Sequence, residues 1–302
     1  MDWMKTIAEM VDAARKSGRK RIAVAAAQDA SALEAAVDAW MNGLADPVLI
    51  GDLAAIDALA SELGLDLARF ERIQAKTSEA AAAEAVRLVR TGDADVLMKG
   101  LIDTSILLKA AFNRDTGINA GGLASHVAAL EVASYHKLLF VTDAAINIAP
   151  DLGTRLGIIA NAARAARALG LVLPKVALLA AVEKINYEKM PCTVDAAIIA
   201  QMCRRGQLGG CLVDGPLALD NAVNPESARI KNISSEVAGD ADVLVAPGIE
   251  AGNILYKSLV DLGGAKAAGI VMGAAAPIVL TSRSDSGETK LASIAFAALA
   301  SR

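Results

Sequence analysis

Short apolar runs alternate with capped, helix-patterned stretches along nearly the whole chain, and that alternation leaves few folds open. Residues 21–27, 47–51 and 95–100 are apolar runs of strand length, and 70–74 is a shorter one. Between them, 29–42, 52–64 and 77–92 carry helical patterns opened by Asp29, Asp52 and Thr77, the last two closed by Gly64 and Gly92. Such residues satisfy the first N–H groups and the left-handed exit of a helix. Residues 3–17 read as a further helix, closed by Gly18. Apolar strands separated by helices predict a parallel sheet covered on both faces. The pattern resumes with strands predicted at 137–143, 175–181, 210–216, 242–247, 268–273 and 278–280, and with helices over 154–169, from 193, over 254–262 and from 289. Residues 123–130 are apolar around Ser125 and His126, where a lone histidine reads as a core or helix residue before it reads as a base. In 302 residues the alternation outruns one typical sheet. The expected fold class is α/β, as two doubly wound α/β domains with an interdomain cleft.

With 54% apolar residues and only 3% aromatics, the core must be built from Ala, Val, Leu and Ile. The net charge of −4 argues against a nucleic-acid surface, so any anion site must concentrate its positive charge locally. Cys192, Cys203 and Cys211 show no CxxC spacing, which predicts neither a metal centre nor a disulfide framework. The N-terminal residues lack the pattern of a signal peptide, and no apolar stretch reaches membrane-spanning length; a cytoplasmic protein is expected. Walker, first-strand G-x-G-x-x-G and G-x-S-x-G patterns are missing, which disfavours a nucleotide triphosphatase, a standard dinucleotide enzyme and an α/β-hydrolase.

Polar residues gather where the predicted strands end: Lys99, Asp143 with Asn147, Asp214, Glu250 with Asn253, and Ser282 with Arg283. Open α/β sheets bind ligands at the carboxyl ends of their strands. The stretch 276–290 concentrates the signal. A strand ends at a run of small and charged polar residues, and a helix begins near Thr289. Free N–H groups and the dipole at a helix start attract anions. Ser282, Ser284 and Ser286 add hydroxyl donors, and Arg283 adds a planar fork suited to phosphate or carboxylate. Thr104 opens the helix after Lys99 and could hold a phosphate in the same way. A well-capped surface helix and a solvated loop lysine remain the plain alternatives for these two places.

Four ordered motifs carry a resemblance. They are Asp214-Gly215-Pro216-Leu217-Ala218-Leu219-Asp220-Asn221-Ala222, Ser235-Glu236-Val237-Ala238-Gly239-Asp240-Ala241-Asp242, Pro247-Gly248-Ile249-Glu250-Ala251-Gly252-Asn253-Ile254-Leu255-Tyr256-Lys257, and the segment 277–285. From about residue 95 onward the chain resembles the phosphate acetyltransferase and phosphate butyryltransferase family, and the Thr281-Ser282-Arg283-Ser284-Asp285-Ser286 variant looks closer to the butyryl branch. The resemblance implies a fold like that of isocitrate and isopropylmalate dehydrogenases, with domains at 1–136 plus 282–302 and at 137–281. It implies a homodimer, no bound cofactor, and the reversible reaction of an acyl-CoA with phosphate to give an acyl phosphate and coenzyme A.

Carried over by position, Ser282 would hydrogen-bond the thiol or acyl oxygen and Arg283 would hold phosphate. The acetyl branch has an aspartate where this chain has Thr289, so the base stays open between Asp285 and Glu288. Substrate contacts are expected from Lys99, Thr104, Ser125, Asp143, Asn147 and Asp214. They are also expected from Glu250, Asn253, Lys257, Thr281, Ser284 and Ser286. Two other readings stay open: a metal-dependent hydroxyacid dehydrogenase of the same fold, recruiting Asp214, Asp220 and Asp240, and a non-catalytic sensor of coenzyme A or acyl phosphate.

Overall fold

The computed structural model describes residues 3–280 and 285–301. The chain packs as two compact units. A terminal unit comprises Ala8–Gly122 with Ala268–Arg302, and a central unit comprises Met1–Ile7 with Leu123–Ala267. The sequence reading drew the boundaries at 136/137 and 281/282. Strand pairing explains the difference: residues 123–136 contain a strand that pairs within the central unit, and 268–281 contain strands that pair within the terminal one.

In the terminal unit, β1 (Lys20–Ala25), β2 (Ala45–Gly51), β3 (Glu71–Gln74), β4 (Val96–Lys99), β10 (Lys266–Met272) and β11 (Ile278–Val279) lie in the order β3-β2-β1-β4-β11-β10. The first five in that order run parallel, and β10 runs antiparallel to β11. Helices α2 (Ala30–Met41), α3 (Leu53–Leu63) and α4 (Ser78–Thr91) link the first strands. Asp29, Asp52 and Thr77 accept from the N–H groups of Ala32, Ala54 and Ala80, and Gly64 and Gly92 close α3 and α4 at φ of 68° and 81°. Each cap is worth about 1 kcal/mol. The reversal in strand order falls between β1 and β4. There Ala26 turns at φ 56°, and a Cβ on Gly100 would lie 2.2 Å from the Ala26 carbonyl oxygen. Only glycine lets the β4 exit cross the β1 exit so closely.

In the central unit, β5 (Ser125–Glu131), β6 (Leu139–Thr142), β7 (Lys175–Leu179), β8 (Leu212–Leu217) and β9 (Val243–Val245) lie in the order β5-β6-β9-β7-β8. All pairings are parallel except β5 with β6. Each unit therefore carries one antiparallel strand that the parallel expectation omitted. Strand periodicity reports burial, and a strand buried on both faces reads the same in either direction. Helix α6 (Leu152–Ala168) packs on β5, β6 and β9. Helix α7 (Cys192–Arg204) and two short helices, α8 (Leu219–Val223) and α9 (Pro225–Ile230), follow. Helix α10 spans Ile249–Lys257 and passes into a π-type turn, Ser258–Leu262, so it starts earlier than the 254–262 expected. The last helix, α11, spans Gly287–Ala300. Helices α1 (Ile7–Lys16) and α5 (Thr104–Ala111) complete the set. The core is aliphatic as expected, with Phe140 and Phe296 its largest fully buried side chains.

Candidate functional site

The carboxyl ends of β6 and β9 gather the densest polar arrangement in the central unit. Asp143 follows β6 and is 3% exposed. Its Oδ1 accepts from the N–H groups of Ala145 at 2.9 Å and Ile146 at 3.0 Å. Its Oδ2 accepts from the Asn147 N–H at 3.2 Å and from Asn147 Nδ2 at 2.6 Å. Asn147 Nδ2 also donates to the Ala124 carbonyl at 2.8 Å, just before β5. The peptide joining Thr142 to Asp143 is cis. Helix α10 closes on the same loop: Asn253 donates to the Ala144 carbonyl at 3.1 Å, and the Ile249 N–H donates to the Ile148 carbonyl at 3.0 Å. A Cβ at Gly252 would stand 2.4 Å from the Asp143 carbonyl oxygen, so the helix meets the loop backbone directly.

Two residues absent from the expected site complete this frame, both on α6. Asn161 is buried and donates to the Leu123 carbonyl at 2.7 Å and to Ser125 Oγ at 2.8 Å. Arg155, 7% exposed, donates to the Pro247 carbonyl at 2.7 Å and more weakly to the Ala246 carbonyl at 3.4 Å, and pairs with Asp195 at 3.3 Å. A buried cation needs such partners, and these fix the turn from β9 into α10. Neither residue stands out in sequence, because a polar side chain on an amphipathic helix looks the same whether it faces water or a buried carbonyl.

The expected site residues fall into separate groups. Asp143, Asn147, Ser125 and Asn253 belong to this one frame. Ser125 is fully buried and held by Asn161, which gives it a structural partner rather than an open face. Glu250 and Lys257 are exposed at the two ends of α10. Asp214 does not join them. It lies inside the edge strand β8, 3.6 Å from Arg204, lining a cavity of about 720 Å³ with Ser234, Ser235 and Glu236.

In the terminal unit, Lys99 ends β4 half-buried and donates to the Gly100 carbonyl at 3.3 Å. Thr104 is exposed at the first position of α5. Val279 of β11 pairs with Met98, so Leu280 leaves its strand beside the one that ends in Lys99. Thr281, Ser282, Arg283 and Ser284 lie outside the described residues. Beyond them in sequence, Ser286 caps α11 by accepting from the Thr289 N–H at 3.1 Å, and Glu288 is exposed in the first helical turn. Lys290, 3% exposed, donates to the Asp285 carbonyl. This buried ammonium on α11 is a third residue absent from the expected site.

The aspartates suggested for a metal do not converge. Asp214 faces Arg204, Asp220 pairs with Lys231 at 3.0 Å, and Asp240 pairs with Lys175 at 2.6 Å. Among the described residues, no three His, Cys, Asp or Glu side chains are grouped so as to hold a metal ion. Burial, and then the neighbouring Cys203, push the Cys211 thiol up to about 11.

Comparison with known proteins places this geometry in a family. The family model described as Phosphate acetyl/butaryl transferase matches residues 5–87 and 79–298. A phosphate butyryltransferase of Clostridium acetobutylicum is 46% identical over 98% of this chain and 98% of its own length. A phosphate acetyltransferase of Rhizobium meliloti is also 46% identical, over 96% of this chain and 92% of its own. The crystal structure of a branched-chain phosphotransacylase from Enterococcus faecalis superposes with a TM-score of 0.80 at 35% identity, covering 93% of this chain and 98% of that one. A putative 4-hydroxythreonine-4-phosphate dehydrogenase from Salmonella typhimurium shares the fold alone, with a TM-score of 0.58 at 16% identity, covering 94% of this chain and 100% of that one. The expected dehydrogenase-like α/β architecture is thus found, and the chain belongs to the phosphate acetyl/butyryl transferase family.

Proposed function

We propose that this chain catalyses the reversible transfer of a short-chain acyl group between coenzyme A and inorganic phosphate. The observation that carries the reading is the match to transferases of this family along almost the whole chain, at 46% identity to a butyryl and to an acetyl enzyme alike. Coenzyme A is then a substrate, with no resident cofactor required. Chain-length preference stays at short acyl groups, because one methylene in an apolar pocket changes selectivity by only about 1–3 kcal/mol.

The chemistry needs an activated thiol in one direction and a stabilised oxyanion in both. A thiol with an ordinary value near about 8.5 is mostly protonated at neutral pH, so a base or a positive field must favour the thiolate. Ser282 and Arg283 are assigned to the thiol or acyl oxygen and to phosphate. Ser284, Ser286 and Thr281 flank them, and Lys99, at the end of the strand beside β11, adds positive charge. Removing one such donor raises the barrier by about 3 kcal/mol. Asp285 and Glu288 are the candidates for the base, with Thr289 already bonded to Ser286. Thr104, Glu250 and Lys257 are assigned to substrate from exposed positions. Direct attack in a ternary complex is favoured over an acyl-enzyme, since Cys192 has no neighbouring base in sequence.

Homodimerisation is carried over from the family likeness; Ile185, Tyr187, Ile198 and Ile230 of the central unit are exposed apolar side chains available to a partner. Among the described residues no helix is long and apolar enough to cross a membrane, in keeping with a cytoplasmic assignment. The test is thiol release from acetyl-, propionyl- and butyryl-CoA, each measured across a range of phosphate concentrations. Release that saturates with phosphate supports the reading, and release independent of phosphate, or none from any of the three, overturns it.

A further inference from the structure

We infer that Asp143 acts in this transfer as a positioning residue, its carboxylate filling an anion nest made by its own loop rather than contacting substrate; the inference rests on the reaction proposed above. Three consecutive N–H groups, those of Ala145, Ile146 and Asn147, converge on the two carboxylate oxygens at 2.9, 3.0 and 3.2 Å. Successive N–H groups curled in this way form a concavity that binds anions. Here the anion is supplied by the residue that starts the loop. The Asn147 amide takes a further position on Oδ2 at 2.6 Å, and the side chain is 3% exposed. With four donors engaged and almost no accessible surface, the carboxylate is spent on the loop.

The loop itself is what faces outward. Ala145, Ile148 and Ala149 are exposed at the carboxyl end of β6, the end where open α/β sheets bind ligands. The nest fixes that segment from within, and Asn253 and the Ile249 N–H fix it from α10. Asn147 carries the same geometry to β5 through the Ala124 carbonyl. Loss of the carboxylate therefore frees three main-chain donors at once and lets the outward face of the loop shift. Misplacement by about 1 Å costs on the order of 100-fold in rate.

The test uses Asp143→Ala, which removes the anion and keeps the nest. Steady-state constants are measured for butyryl-CoA and phosphate, with unfolding midpoints taken alongside. The expected variant is folded and falls about 100-fold in kcat/KM, mostly in kcat, and added formate restores activity saturably where chloride at equal ionic strength does not. Formate fits because it is a carboxylate small enough to occupy the emptied nest. Wild-type constants in Asp143→Ala overturn the inference, as does a folded, impaired variant that formate leaves unchanged. Should Asp143→Ala not fold, Asp143→Asn carries the test. It keeps an oxygen for two of the N–H groups but sets an NH₂ against the other donors, so an intermediate loss is expected and wild-type constants overturn the inference. Wild-type protein without phosphate-dependent thiol release sinks the reaction itself, whereas an active wild type with an unaffected Asp143→Ala sinks only the role given to Asp143.

Discussion

The two ends of the central unit's sheet spend their buried polar groups in opposite ways. At the starts of β6, β7 and β9, charges satisfy one another. Lys137, its side chain 6% exposed, pairs with Asp242 at 2.6 Å and Asp240 at 2.8 Å, and Lys175 reaches Asp240 at 2.6 Å. Tyr135 donates to the Ala241 carbonyl beside them at 2.6 Å, and burial, then Asp240 and Asp242, push its phenol far above the ordinary value. At the carboxyl ends of β6 and β9, Asp143, Asn147, Arg155, Asn161 and Asn253 bond mainly to the backbone. Charges paired mainly with one another lock strand starts together, with added bonds to the Asp240 carbonyl and the Lys175 N–H. Side chains spent on main-chain groups set the path of loops and leave the outer face of those loops available. The first end is built for stability, and the second for the precision of a site.

Mutations at the two ends should therefore part company in what they damage. The largest effect is expected from Lys137→Met. It leaves the Asp242 carboxylate, whose side chain is 4% exposed, with the Lys175 N–H but without its countercharge, and should cost about 3–5 kcal/mol in urea unfolding while kcat per folded molecule stays at the wild-type level. A fall in kcat without loss of stability would erase the contrast. Asn161→Ala comes next. It leaves the Leu123 carbonyl and Ser125 hydroxyl without their donor, a loss of about 1–3 kcal/mol, and it should also lower kcat/KM because the entry to β5 loosens beside the Asp143 loop. Unchanged kinetics in a destabilised protein would move Asn161 to the stability side of the comparison.

The smallest effect is one of pH. Burial acts to raise the Asp240 carboxyl, but hydrogen bonds and charge from Lys137 and Lys175 outweigh it and hold the group at about 2. Its folded value lies below its unfolded value of about 3.9, so its contribution is complete above that pH and is lost as pH falls towards 2. The side chain is 41% exposed, so solvent screening limits the contribution to about 1 kcal/mol. Urea midpoints should fall more steeply between pH 4 and pH 2 in the wild type than in Asp240→Asn, and parallel curves would remove Asp240 from the network.

Much of the fold is legible in the sequence because its signals are local. Asp29, Asp52 and Thr77 announce helix starts by chemistry that needs no distant partner, and each accepts a helix N–H in the structure. The direction of β5 is not local. It depends on which neighbour the strand meets, and 123–130 carries only apolar character. Strand ends point to Lys99, Asp143 and Asn147 because topology places ligands there, yet whether a carboxylate faces a ligand or its own backbone depends on contacts that spacing does not encode. Asp214 shows the limit of that rule: the strand containing it runs on to Leu217, which leaves the aspartate inside an edge strand rather than at its end. Arg155, Asn161 and Lys290 are hidden for the reverse reason, since their burial comes from neighbours far away in sequence.

Ser282 and Arg283, which follow β11 in sequence, are proposed to steady an acyl group passing between sulfur and phosphate. Initial rates of coenzyme A release from butyryl-CoA, measured across a range of phosphate for wild type and Arg283→Ala, test it most directly. A drop on the order of 100-fold in kcat is expected in the variant, matching about 3 kcal/mol, together with a higher KM for phosphate. Wild-type kcat and an unaltered phosphate KM in Arg283→Ala would contradict it.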